Sequence, residues 1–452
     1  MRSVWLIGLI LAAGWIPAGG TRAQTCQPRW TMPNQPPGEN SPINVLTILQ
    51  DESGPRLYAG GRFTMAGTLP AAKIARWNGQ SWATVGKGLG GIAPTVHAIV
   101  GALGMPAFVY VAGEFTVAGG IEAQNIALWT GSEWSPLGLG VDGPVYSLAV
   151  FDAGGGPELF AGGMFTQAGG ENSPFIAKWN GANWSPVGSG VDGRVLTMVV
   201  HDDGAGPALF AAGDFTMAGG QPAERVARWN GADWSAVGDG LNNTVFCLME
   251  WDPGAPGDPL LVAGGSFVAS SAASANRVAI WNGTAWWAAG TGLNSTVRAL
   301  TAFDDGTVTG SALYVGGSFT MAGGQSANRI ARWNGTTWST LAQGVNDAVF
   351  TLAAAEVATR LGPSLYVGGS FSMAGGSAAN YVARWDGCYS PPADFSGDGR
   401  LNLNDFGQWV GCMRGPDADL LPGCNVAEID GDGDVDVMDF AEMQILFRLP
   451  PL

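Results

Sequence analysis

Positive charge and histidine are both scarce in this 452-residue chain. Lys and Arg number 21 against 37 Asp and Glu, a net charge of −16, and the histidines are two, His97 and His201. Nucleic acid and anionic lipid both require clustered basic side chains, so neither is expected as a partner, and divalent cations suit the balance better. Charged residues make up 13% of the chain and hydrophobic ones 46%, which excludes disorder and provides for a large core. Long apolar runs are missing after residue 23. Residues 1–23 carry Arg2, the apolar run Val4 to Ala13 and a small-x-small site at Thr21-Arg22-Ala23. That pattern reads as a secretory signal peptide, too short to span a bilayer comfortably. The chain is therefore expected to be secreted or at the cell surface, with no membrane insertion once the signal is removed.

Cysteine is sparse and odd in number: Cys26, Cys247, Cys388, Cys412 and Cys424. Export permits disulfides, and one thiol must be left over. Cys247 is the expected free one, a small buried thiol, because the matching positions of the other repeats hold Thr47, Ala98, Ser147, Thr197, Ala299 and Thr351.

What the chain has in abundance is repetition. The Phe of a G-x-F step returns as Phe63, Phe115, Phe165, Phe215, Phe267, Phe319 and Phe371, at spacings of 52, 50, 50, 52, 52 and 52 residues. A Trp follows each by 14 residues, from Trp77 to Trp385. Within a unit, four short apolar runs are bounded by Gly and Asn-Gly, as in Val145 to Phe151, Leu159 to Gly163, Phe175 to Trp179 and Trp184 to Val187. These are strand signals, and W-N-G-x-x-W (Trp179 to Trp184) marks a tight hairpin between the third and fourth. Four strands in a period of about 50 residues is a propeller blade.

The ends show how the ring closes. Trp30 stands 52 residues before Trp82, so the N-terminus supplies an orphan fourth strand, while Trp385-Asp386-Gly387 ends a third strand that has no fourth after it. The expected fold is all-β, a seven-bladed β-propeller over residues 24–389 closed by the N-terminal strand. Superimposed on the intact hairpin, Cys388 and Cys26 fall at the positions of Gln80 and Asn78, so a disulfide between them is expected to staple the ring.

An inner V-x-x-L run, a second strand ending in Gly-Gly and a fourth beginning at Trp resemble kelch-type propellers and the central domain of galactose oxidase. G-G-x-F (Gly316 to Phe319) followed by R-W-N-G (Arg332 to Gly335) is closer still to the propeller repeats of fungal cortical polarity-marker ectodomains and of many secreted bacterial proteins. The resemblance covers about residues 27 to 389 and implies fold far more strongly than activity. The oxidase's copper needs two His and two Tyr, one crosslinked to Cys, and His97 and His201 lie far apart in the chain without that arrangement.

The repeated F-T-M-A-G-G loop and the Trp pairs read as structural. Differences between units point elsewhere. The variable residue of G-x-F is Arg62, Glu114, Met164, Asp214, Ser266, Ser318 and Ser370, and Glu114 and Asp214, two blades apart, read as solvated strand-edge residues. The Asp-Asp-Gly steps at Asp202 and Asp304 read as ordinary turns. No converging set of unique polar residues is evident, and the variable loops between first and second strands are expected to form the interaction face.

After Gly387 the repeat stops, and residues 391 to 446 hold 12 Asp and Glu against two Arg and no Lys. Two segments align at an offset of 34, ADFSGDGRLNLNDF and AEIDGDGDVDVMDF. The first places Asp394, Ser396, Asp398, Arg400, Asn402 and Asp405 at positions 1, 3, 5, 7, 9 and 12 of an EF-hand-like loop, with Gly399 at the turn. The second places Glu428, Asp430, Asp432, Asp434, Asp436 and Asp439 there. Each loop presents the hard oxygen ligands Ca²⁺ requires, so two ions are expected.

The duplicated loop, each copy followed by an apolar run and ending in Asp, looks like a type I dockerin, a small α-helical calcium-binding domain over residues 390–452. That resemblance implies a cohesin-like or other extracellular protein as partner, met at loop positions 10 and 11, here Leu403, Asn404, Val437 and Met438. Cys412 and Cys424 flank the link between the halves and suit a second disulfide. The functional expectation is a secreted, non-catalytic binding or display propeller tethered through this module, with glycan as a second candidate ligand. The alternative is an extracellular carbohydrate-active enzyme, a glycan hydrolase or lyase, since dockerins commonly carry such enzymes.

Clustered carboxylates in so small a module repel one another until a cation is bound. Calcium should therefore raise the helical circular dichroism of residues 389–452 and chelator should abolish it. Equal helicity and equal stability in chelator would remove the metal assignment.

Overall fold

The computed structural model describes residues 28–31, 40–51, 54–102, 105–254, 259–270, 274–306, 311–355 and 364–387. Contacts divide the chain into two compact units, one formed by Gln27–Tyr389 with the last two residues and the other by Met1–Cys26 with Ser390–Pro450. The expected signal peptide, both calcium loops, the partner-binding positions Leu403, Asn404, Val437 and Met438, and Cys26, Cys388, Cys412 and Cys424 all lie outside the described residues.

The described residues form a β-propeller and contain no helix. They make seven four-stranded antiparallel sheets. The innermost strands are Ile43–Asp51, Thr95–Ala102, Val145–Asp152, Val195–Asp202, Val245–Trp251, Val297–Phe303 and Val349–Ala355. Each packs against the next, and the last packs against the first. Observed strands match the sequence reading closely: the third sheet is Val145–Asp152, Pro157–Gly163, Ile176–Trp179 and Trp184–Pro186.

The seventh sheet is completed by Arg29–Thr31, which pairs with Val382–Asp386 in the register Arg29↔Asp386, Trp30↔Trp385 and Thr31↔Arg384. The Thr31 hydroxyl donates to Asp386 Oδ2 at 2.6 Å, and Arg384 Nε donates back to Thr31 Oγ1 at 3.2 Å. Across the seam, Leu46 N donates to Thr351 Oγ1 at 2.9 Å. The chain's first described strand is thus held in the same sheet as its last.

Sheets are stapled by tryptophan. Each W-N-G-x-x-W hairpin sets two indoles together with centroids 5.1–5.5 Å apart, and Trp30 with Trp385 does the same at 5.2 Å. The second indole then donates to a carbonyl of the preceding sheet: Trp134 to Val85, Trp184 to Leu137, Trp234 to Val187, Trp286 to Val237 and Trp338 to Ala289. Trp30 completes the series by donating to Leu341 at 3.0 Å. Glycine seats these rings: a Cβ on Gly188, which has φ +55, would lie 2.8 Å from Trp229 Cζ3. The same contact accounts for Gly86, Gly138, Gly238 and Gly290 after the other fourth strands, while the sixth sheet carries Ala342 there at φ +49.

The repeated F-T-M-A-G-G loops are held from the connection that enters the same sheet. Asp142 Oδ1 accepts from Thr166 N at 2.7 Å and Gln167 N at 2.9 Å. Asp192, Asn242, Asn294, Asn346 and Asn40 repeat this arrangement. Burial alone would raise the Asp142 carboxyl, but these hydrogen bonds outweigh it and hold it below its usual range. In six units an Asp or Asn side chain thus gives the loop's backbone donors a fixed acceptor, and in the second Thr116 N donates to Gly90 O instead.

The Asp-Asp-Gly turns do more than the sequence reading assigned them. Asp202 caps its own turn by accepting from Gly204 N and Gly206 N, but the second acid of each pair faces inward. Asp203 meets Arg228 at 3.5 Å, and buried Asp305 accepts from the Tyr314 hydroxyl at 2.5 Å and meets Arg332 at 3.2 Å. The cross-strand pairing of Tyr314 with Arg332 places both over the turn.

Removing one indole donor leaves a buried carbonyl unpaired, at a cost of about 1–3 kcal/mol. Trp184→Phe should lower stability by that amount in guanidinium unfolding. Trp287→Phe, at a side chain 38% exposed, should change it by less than about 0.5 kcal/mol. Equal effects of the two would show that the indole hydrogen bond adds nothing to stability.

Candidate binding site at the channel mouth

Every innermost strand begins with the same irregularity. In the third sheet Val145 pairs with Gly163 and Ser147 with Gly162, leaving Tyr146 as an extra, unpaired residue. The same bulge sets out Asn44, His97, Leu196, Phe246, Arg298 and Phe350 in the other six sheets. A bulge turns its extra side chain away from the regular alternation, and a ring of them collects seven side chains at one end of the innermost strands. These positions are the first x of V-x-x-L, and no two neighbours in the ring carry the same residue.

Several bulge residues make contacts across sheet boundaries. Asn44 Nδ2 donates to Val96 O at 3.2 Å, and the His97 and Tyr146 rings meet edge to face at 5.3 Å. The Arg298 guanidinium lies over the Phe246 ring at 5.0 Å and the Phe350 ring at 5.8 Å. The variable residue of G-x-F, at the end of each second strand, belongs to the same mouth. Glu114 Oε1 is 3.1 Å from His97 Nε2, and Asp214 Oδ2 accepts from Arg194 Nε at 2.7 Å. Arg62 Nε donates to Thr95 Oγ1 at 3.3 Å. In the fifth and seventh sheets the corresponding serines turn back instead, Ser266 to Thr244 O and Ser370 to Ala348 O.

The mouth therefore has two unlike arcs. Sheets one to four present Arg62, Glu114, His97, Tyr146, Arg194 and Asp214, whereas sheets five to seven present Phe246, Arg298 and Phe350 with short serines behind them. Burial raises the Tyr146 phenol, and the fields of Glu114, Arg194 and Asp214 all reach it. Burial pushes the His97 imidazole below its ordinary 6.5, against the opposing hydrogen bond and charge of Glu114.

Glu114 and Asp214 stand at strand ends as the sequence indicates, Glu114 with its side chain 43% exposed, and each has in addition a partner from the start of an innermost strand. Side chains from different units do converge, at the end that carries the repeated loops, whereas the variable first-to-second-strand loops lie at the other end. The repeated loops are nearly uniform, the fifth unit's F-V-A-S-S-A being the main departure, so most of the differences sit on the strands beneath them.

His201 lies at the opposite end. It is 3% exposed, bonds Glu250 Oε2 through Nδ1 at 2.8 Å and packs edge-on against Phe210, which ties the fourth innermost strand to the fifth. Cys247 is free and buried, as expected, and its thiol donates to Gly264 O at 3.6 Å. Burial drives its ionisation far above the ordinary thiol range, an environment that disfavours the reactive thiolate. Among the described residues no three His, Cys, Asp or Glu side chains gather as a metal site.

A family profile described as "Domain of unknown function (DUF5122) beta-propeller" matches residues 305–335, the middle of the sixth unit. No curated protein shows a significant sequence match. Among solved structures, the chain is similar to the extracellular domain described as that of a one component system, BT4673, from B. thetaiotaomicron. The identity is 9% and the TM-score 0.44, over 80% of this chain and 40% of that one. It is likewise similar to the WD40 beta propeller domain of Doa1, with 12% identity and a TM-score of 0.45 over 79% of this chain and 96% of that one. The chain spans less than half of the first of these.

A base held neutral in the fold but free to ionise when unfolded makes stability fall as pH drops below the unfolded value. The contribution from His97 is complete above about 6.5 and is lost progressively below it. His97→Gln should accordingly flatten the decline of unfolding free energy between pH 6.5 and 5 relative to the parent chain. Parallel pH profiles for the two proteins would remove the buried neutral imidazole.

Proposed function

We propose that the chain is a secreted, non-catalytic binding protein. Its seven-bladed β-propeller takes a ligand at the bulge-lined mouth, and a calcium-dependent dockerin-like module attaches it to an extracellular or cell-surface partner. The observation that carries the binding reading is the ring of seven bulge residues, six residue types with Phe alone occurring twice, on an otherwise repeated scaffold. Repetition of the loops reflects shared structural duty, and the side chains free of that duty converge on one end.

Binding is favoured over hydrolysis by how the carboxylates are engaged. Glu114 is paired with His97 and Asp214 with Arg194, and carboxylates so held accept hydrogen bonds from a ligand instead of working as a free acid and base. Support for attachment comes from the sequence, where two twelve-residue loops place oxygen ligands at Ca²⁺ spacing. Secretion is supported by the N-terminal signal pattern, and for the described residues no helix is long and apolar enough to cross a membrane.

The test uses the mature chain on a glycan array and in pull-downs from cell envelopes, with calcium and with chelator. Ligand binding should persist in chelator and weaken about tenfold or more in Tyr146→Ala, while retention by the envelope should require calcium. Release of product from any bound glycan would instead establish the enzyme reading. Retention that survives chelator would overturn the tether.

A further inference from the structure

We infer that the mouth grips its ligand through a single carboxylate held by Arg298, and that the ligand is an acidic saccharide, a sugar unit carrying one uronate-type carboxylate among its hydroxyls. The inference rests on the mouth being the binding site and adds the chemical class of what enters it.

Arg298 is exposed, yet its side chain is ordered by the two phenyl rings that flank it, Phe246 at 5.0 Å and Phe350 at 5.8 Å. A guanidinium over aromatic faces is held by the rings without using its N–H donors, which are left to form the fork that fits a carboxylate. No ion pair engages Arg298 among the described residues. Of the other basic side chains of this end, Arg194 donates to Asp214, Arg62 to Thr95 Oγ1, Lys73 to the Arg62 carbonyl, Arg329 to Ser318 O, and Arg225 and Arg277 to the carbonyls of Asp214 and Ser266. A cation ordered in advance loses little freedom on binding, so this geometry favours an anion beyond what charge alone would give.

Overall charge limits the ligand to few negative groups. A chain of net charge −16 repels an extended polyanion, whereas one carboxylate meeting one guanidinium is compatible with it. The opposite arc supplies the second half of the description. The Glu114 side chain is 43% exposed and accepts hydrogen bonds, and Tyr146 beside it carries a phenol that both donates and accepts. A ligand with one charge and several hydroxyl donors matches a fork on one side and these acceptors on the other.

The test is calorimetric titration of the full chain with D-galacturonate, D-galactose, a tripeptide with a free C-terminal carboxylate and the same tripeptide amidated. Parent, Arg298→Met, Arg298→Lys, Glu114→Gln and Tyr146→Phe proteins are compared, each checked for unchanged thermal unfolding. The expected result is that galacturonate binds at least about tenfold tighter than galactose, that Arg298→Met erases this preference, and that Arg298→Lys keeps part of it. Glu114→Gln and Tyr146→Phe should weaken both sugars alike. The inference fails if galacturonate does not bind, if galactose binds as tightly, if Arg298→Met changes nothing, or if the free-acid peptide is discriminated from its amide while the sugars are not. Should Arg298→Met be silent while Glu114→Gln and Tyr146→Phe weaken sugar binding, the mouth remains the site and only its charge preference is wrong. If none of the substitutions alters any binding, the mouth itself is not the site.

Discussion

The propeller depends on one directional contact made over and over, an indole N–H donated across a sheet boundary to a backbone carbonyl. Hydrophobic packing between neighbouring sheets is non-directional and would tolerate sliding, whereas this bond fixes the position of each fourth strand on its predecessor. The paired Trp beneath it and the glycine that seats the pair leave no room for a different register. Because Trp30 makes the same bond to Leu341, the N-terminal strand is placed by the rule that places its internal equivalents. Trp82 is the one without a described acceptor: its position in the pattern calls for residue 33, which lies outside the described residues.

A scaffold specified by repetition separates structural from functional positions unusually cleanly. Residues meeting the repeated duties, such as Phe165 and Trp184, are the same in every unit because the geometry is the same, and the acceptor Asp142 has an Asp or Asn counterpart in five of the other six. The bulge residue has no pairing partner and no such duty. It is therefore free to differ, and it is placed where all seven copies gather. The serines Ser266 and Ser370 mark what the second-strand position does by default, bonding back to the neighbouring backbone. Arg62, Glu114 and Asp214 depart from that default on one side of the mouth only, so its polarity is an accident of no single residue.

Much of this was legible in the chain. The 50- to 52-residue period, the strand runs, the Asn-Gly hairpins and the orphan Trp30 follow from local turn chemistry and side-chain alternation, which act within a few residues. Buried, unreactive Cys247 was legible too, from the small residues at its matched positions. The candidate site was not, although its signal lay in plain view: aligning the units on V-x-x-L shows Asn44, His97, Tyr146, Leu196, Phe246, Arg298 and Phe350 differing at the first x while the flanking Val or Ile holds. What hid it was the assumption of regular alternation, under which that x is one more inner-strand residue.

By itself, then, the sequence determined the unit: where its strands run, where they turn, and that the last sheet borrows its outer strand from the N-terminus. All of these are set by neighbours in the chain or by the matching of one repeat to the next. Tertiary structure decided which residues from different units meet. His97 reaches Glu114 over 17 residues, but Tyr146 joins them from the next unit and Arg298 finds its two phenyl rings 52 residues away on either side. Such meetings depend on an unpaired residue turning out of each strand and on the ring bringing those turns together, and neither is encoded in the spacing of any one unit.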